Sequence, residues 1–168
     1  MSRRLRPGAR KFLLTVHIAA SVGWLGMSMC LLVLDLTGVF STDPRLQKTA
    51  FAASSVLATT IGPPVAIAAF ASGVAISLGT KWGLWRHWWV VVSLVGTGIM
   101  TVLVVFSLGP MLTEVATAAL AAPPGVPVLD AVGDRVASAV AAPSVAVVAL
   151  TVLTGLNVFK PRGRVRRR

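Results

Sequence analysis

This chain has little charge. Only 12% of its 168 residues are Asp, Glu, Lys or Arg, against 55% hydrophobic, whereas soluble domains carry about 25% charged residues. There is a single cysteine, Cys30, which excludes an internal disulfide and any zinc-type ligand spacing. Acidic residues number five. On the span boundaries set out below, none falls inside a membrane span. Without a Ser/His/Asp arrangement or a glycine-rich phosphate loop as well, a conventional enzyme is disfavoured.

The scarcity of charge is concentrated in four uncharged stretches: residues 12–34, 49–80, 88–113 and 136–159. A helix needs about 20 mostly apolar residues to cross a bilayer. All four stretches meet that length. In hydrocarbon the backbone must satisfy its own hydrogen bonds, and a helix does so within one segment. The expected fold class is therefore all-α, a polytopic four-transmembrane-helix bundle. Spans are expected at about 12–34, 50–78, 86–108 and 136–159. A basic N-terminus (1–11), a membrane domain (12–159) and a basic tail (160–168) make up the chain.

The net charge of +11 is distributed by side. Five basic residues precede the first span, two (Lys81, Arg86) lie between spans two and three, and six follow the last, thirteen on one side. The other side holds three: Arg45, Lys48 and Arg135. Cytoplasmic loops carry the Lys/Arg excess, so both termini are expected in the cytoplasm. All five acidic residues (Asp35, Asp43, Glu114, Asp130, Asp134) fall on the outer side. The basic termini read as anchors on anionic lipid headgroups, at about 1 kcal/mol per basic residue near the surface. No aromatic residue follows Phe159 to stack on bases, so nucleic acid is not an expected partner.

Local signals refine the spans. Asp43 is an expected helix cap before Pro44. Pro63-Pro64 should kink span two. Beyond it Ala69, Gly73 and Ser77 recur every four residues, a small-residue face suited to helix packing. Val104 is expected to face lipid. Trp82, Trp85, Trp88 and Trp89 crowd the inner turn and read as interface anchors. The Ala/Pro-rich segment 111–135 reads as the longest loop. Asn157 lies near the inner boundary, where a headgroup or a neighbouring helix would take its amide.

Only two histidines are present. His17 has Gly26 nine residues later, and His87 has Gly96 nine residues later. This faint repeat would make spans one–two and three–four duplicated helix pairs. Both histidines lie toward the cytoplasmic end of a span, and intramembrane ionisable residues mark functional sites by default. Imidazole ligates haem iron, copper and zinc, so His17 and His87 form a candidate haem or metal site. One mismatch stands against it: His17 lies about 7–8 Å past Phe12 at the helical rise, whereas His87 directly follows Arg86. Ser21, Trp24 and Ser28 make a semi-polar stripe on span one, expected to face other helices. Met27 and Cys30, at i and i+3, are candidate copper ligands, since thioether and thiolate select Cu(I). Packing is the ordinary role of methionine in an apolar helix.

The segment Leu14-Thr15-Val16-His17-Ile18-Ala19-Ala20-Ser21-Val22-Gly23-Trp24-Leu25-Gly26 resembles the first-span His…Trp-hydrophobic-Gly pattern of small bacterial membrane proteins distantly similar to copper-resistance protein D. Gly79-Thr80-Lys81-Trp82-Gly83-Leu84-Trp85-Arg86-His87-Trp88-Trp89-Val90 resembles the second hallmark of a predicted integral membrane family of unknown function in that group. The resemblance implies a four-helix bundle in the bacterial plasma membrane, with the histidines as the positions carried over. Three functions follow as expectations. The first is a non-enzymatic structural or accessory component, alone or with a membrane partner or a second copy. The second is a haem- or copper-binding protein. The third is a small transporter subunit.

Overall fold

The computed structural model describes residues 6–80 and 84–160. It is all-α. The elements are α1 (Pro7–Phe40), α2 (Pro44–Thr60), α3 (Gly62–Gly79), α4 (Trp88–Leu103), a π-helical turn at 104–108, α5 (Gly109–Ala121), α6 (Val128–Val132) and α7 (Arg135–Phe159). Joined end to end they give four helices long and apolar enough to cross a membrane: Pro7–Phe40, Pro44–Gly79, Trp88–Ala121 and Arg135–Phe159.

Three of these are longer than the sequence led us to expect. Helix α1 begins at Pro7, whose fixed φ and missing N–H suit the first helical position, and runs 34 residues to Phe40. At the helical rise that is about 51 Å, well beyond the hydrocarbon core of about 30 Å. Asp35 therefore lies inside the helix and not at its boundary. The third helix passes through Gly109-Pro110 and continues to Ala121, so most of the segment read as a loop is helical. Pro110 lacks the N–H that would bond the carbonyl four residues back. The register loosens to a π-helical turn immediately before it, and the helix resumes.

Caps and breaks follow the local chemistry. The Asp43 carboxylate accepts the Arg45 N–H at 2.9 Å, and Pro44 opens α2. The second span breaks at Ile61, just before the proline pair. Pro63 and Pro64 bring no amide donor to the preceding turn, and the helix restarts with the Val65 N–H donating to the Ile61 carbonyl.

Helix α1 packs on α2, α3 and α7, while α4 packs on α3 and α7 and α2 packs on α5. The core holds Trp24, Met27, Leu31, Phe51, Leu112 and Val115. On α1 the buried stripe is Trp24, Met27, Ser28, Leu31, Asp35 and Gly38, so two members of the semi-polar stripe do face other helices. Val104 is also buried, against Gly62. It faces the bundle rather than lipid, packed where Gly62 of α3 leaves room for its side chain. The outer surface carries Val22, Val33, Val56, Ile67, Val92, Val145 and Val148. An apolar surface of this extent is the mark of a membrane-facing protein.

Candidate functional site

A cavity of about 300 Å³ opens among α1, α3, α4 and α7. Its levels follow from helix register. Arg10 on α1, Thr80 after α3, Trp89 on α4 and Lys160 after α7 stand at the mouth, each near the helix end at that face. Farther in lie His17, Ala69, Phe70, Leu94 and Thr97. Among the described residues Arg10 and Lys160 are the only full charges in the lining, and no carboxylate lines it.

His17 is fixed by α3. Its Nδ1 lies 3.0 Å from the Ala69 carbonyl oxygen and 3.1 Å from Ser72 Oγ. A carbonyl only accepts, so Nδ1 carries the proton toward Ala69, and in the neutral ring Nε2 is left with its lone pair. Nε2 has no hydrogen-bond partner among the described residues. The Ser72 hydroxyl donates to the Ala68 and Ala69 carbonyls of its own helix. The close approach depends on Gly73: a β-carbon there would sit 3.2 Å from His17 Cε1.

Among the described residues, two hydroxyls in the lining have no hydrogen-bond partner. Ser93 is 8% exposed, and its Oγ has no partner; neither has Thr80 Oγ1. Buried polar groups in folded proteins are overwhelmingly hydrogen-bonded, so two orphan donors beside one cavity mark where a ligand's acceptors would be satisfied. Asn157 also lines the space. Its Nδ2 donates to Leu153 O of its own helix at 2.9 Å.

The other sequence-derived residues distribute as follows. Ala69 is buried, Gly73 adjoins His17, and Ser77 lines the cavity. His87 is the residue preceding α4, its ring 6.4 Å from that of Trp89, and it is not among the cavity's lining residues. His17 stands about three turns into α1 and His87 precedes the start of α4, so the depth mismatch persists. Met27 is buried in the core against Gly62, whereas Cys30 on the same helix is exposed. The i, i+3 spacing thus straddles the edge of the buried face. Among the described residues no group of three or more His, Cys, Asp or Glu is placed to hold a metal ion. Trp85 and Trp88 are exposed, while Trp89 is half-buried and lines the cavity mouth. Trp82 lies outside the described residues, as do residues 161–168 of the basic tail.

Sequence reasoning missed Asp35 and Ser93. Asp35 is fully buried, and neither carboxylate oxygen meets hydrogen-bond geometry. Ser54 faces it but is equally without a partner. The signal for Asp35 was the continued helical spacing of Leu31, Asp35 and Gly38. Ser93 gave none, being an ordinary small residue in an apolar run.

No family model, curated protein or solved structure matches this chain. The fold is that of a multi-pass helical membrane protein, with a cavity open at one end among four of its helices.

Proposed function

We propose that this chain is a non-enzymatic accessory component of the bacterial plasma membrane that holds a small ligand among α1, α3, α4 and α7, with both termini in the cytoplasm. One observation carries the reading: a cavity of about 300 Å³ lined by unpartnered Ser93 and Thr80 hydroxyls and by an imidazole with an open Nε2. Mixed polar and apolar concavities between helices are where bundles hold ligands. The orientation rests on the thirteen basic residues assigned to the side of Arg10 and Lys160. Native mass spectrometry of protein released from detergent tests the ligand reading. Wild type should carry an adduct of small-molecule mass, and Ser93→Phe, which fills the cavity, should not. An identical adduct on both would place it elsewhere and refute the reading.

A metal or haem at His17 is the second reading. A ligating histidine ordinarily donates its other ring N–H to a carboxylate or backbone carbonyl, which fixes the tautomer, and the Nδ1–Ala69 bond has that form. The resemblance to the relatives of copper-resistance protein D points the same way. The lining fits one imidazole ligand. It does not fit a two-histidine site, since among the described residues it contains no second His, Cys, Asp or Glu. A Soret band or stoichiometric copper lost in His17→Ala would establish this reading; a colourless, metal-free protein would reject it.

A further inference from the structure

We infer, resting on the cavity being a ligand site, that its occupant is one anionic phospholipid, its phosphate between Arg10 and Lys160 and an acyl chain running inward along Leu14, Phe70, Ile76 and Leu94. The order of chemistry from mouth to floor supports this. Helix α1 enters at Arg10 and reaches Leu14 one turn later; α3 runs outward from Phe70 through Ile76 to Thr80; α4 runs inward from Trp89 through Ser93 to Leu94. Two cations and the Thr80 hydroxyl stand at the mouth. The orphan Ser93 hydroxyl comes about 7.5 Å into α4 at the helical rise. Apolar side chains dominate beyond it.

A phospholipid presents its groups in that sequence: an anionic phosphate, then ester carbonyls, then hydrocarbon. Phosphate oxygens accept from Arg10, Lys160 and Thr80 in charge-assisted bonds. An ester carbonyl accepts from Ser93, satisfying the buried hydroxyl that the protein leaves without a partner. The chain covers apolar surface that would otherwise border a void. Charge selects an anion further: Asp35, the carboxylate on α1, lies about 37 Å from Arg10 along that helix; Asp43 caps α2, Glu114 sits within α5 paired with Arg135, Asp130 lies in α6 and Asp134 precedes α7, and none of the five lines the cavity. No negative group therefore opposes a phosphate at the mouth. A free phosphate shares the head chemistry but leaves the apolar floor uncovered.

The test is thermal unfolding of the full chain in a neutral detergent with three additions at equal concentration: phosphatidylglycerol, phosphatidylcholine and inorganic phosphate. Phosphatidylglycerol should bind at least tenfold more tightly than phosphatidylcholine and raise the unfolding midpoint in proportion to its occupancy. Inorganic phosphate should leave the midpoint unchanged. The double variant Arg10→Gln/Lys160→Gln should lose the tenfold preference, and Ser93→Phe should abolish the response to both lipids. Leu94→Trp serves the same purpose if Ser93→Phe does not fold. Equal responses to the two lipids, both abolished by filling, would overturn the anionic assignment while the ligand site stands. A full response to inorganic phosphate would replace the lipid with a free anion. A phosphatidylglycerol response untouched by either filling variant would remove the cavity from the account altogether.

Discussion

His17 and Gly73 occupy one space: a β-carbon on Gly73 would stand 3.2 Å from His17 Cε1 and 3.6 Å from Nδ1. The imidazole reaches the Ala69 carbonyl because the residue one turn further along α3 has no side chain. Gly73→Ala should therefore push the ring by a few tenths of an ångström and weaken its bond to Ala69. Gly73→Leu should displace it and cost about 1–3 kcal/mol by overpacking. Gly155, where an added β-carbon meets nothing within 4 Å, should accept alanine without loss. Unfolding midpoints in detergent, with the ¹⁵N shift of the His17 side chain, check this. An unmoved His17 resonance in Gly73→Leu would contradict it.

A second close approach holds α1 to α2. A β-carbon on Gly38 would fall 2.6 Å from Phe51 Cζ, and the Phe51 ring is buried in the core. The ring has nowhere to retreat, so Gly38→Ala should destabilise by about 1–3 kcal/mol. At Gly26, with open space around the added carbon, the same change should be neutral or stabilising by up to about 1 kcal/mol through helix propensity. Equal effects at the two positions would show that Phe51 does not pin Gly38.

Asp35 bears on stability in the opposite sense. A buried polar group without a partner costs free energy, and both Asp35 oxygens lack one. Asp35→Asn, of nearly the same shape and without the capacity for charge, should leave the midpoint unchanged or raise it. A clear fall would reveal an ionic or metal contact made by the carboxylate.

Topology is open to labelling. In a Cys30→Ser background, single cysteines at Thr42 and Pro124, both exposed, should react with an impermeant reagent added outside intact cells. A cysteine at Trp85, exposed at the other end, should react only after the membrane is opened. Reversal of that pattern would place Arg10 and Lys160 outside.

The bundle was legible in the sequence because hydrocarbon imposes length and continuity: four uncharged stretches could become little other than helices. Ends were less legible. The boundary at Asp35 was drawn on charge, yet that side chain faces Ser54 in the interior, and burial is a property of the partner helix. The third span was expected to end at about 108, but a π-helical turn carries the helix on through Gly109-Pro110. The Ala69/Gly73 stripe could be read from its spacing of four, but not that a histidine would fill the gap it leaves. His17 was found as a lone imidazole in an apolar run. Its tautomer, set by Ala69, and its company with Ser93 and Lys160 depend on contacts among four helices that no local pattern encodes.

The cavity as an amphiphile site is tested most directly by photo-cross-linking. Phosphatidylglycerol carrying a diazirine on one acyl chain would be activated in a detergent–lipid mixture and the labelled residues mapped by peptide mass spectrometry. The expected result is labelling concentrated at Phe70, Ile76 and Leu94, the cavity's apolar lining, and suppressed in Ser93→Phe. Labelling confined to outward residues such as Val145, Val148 and Val152, with the same pattern in Ser93→Phe, would contradict it.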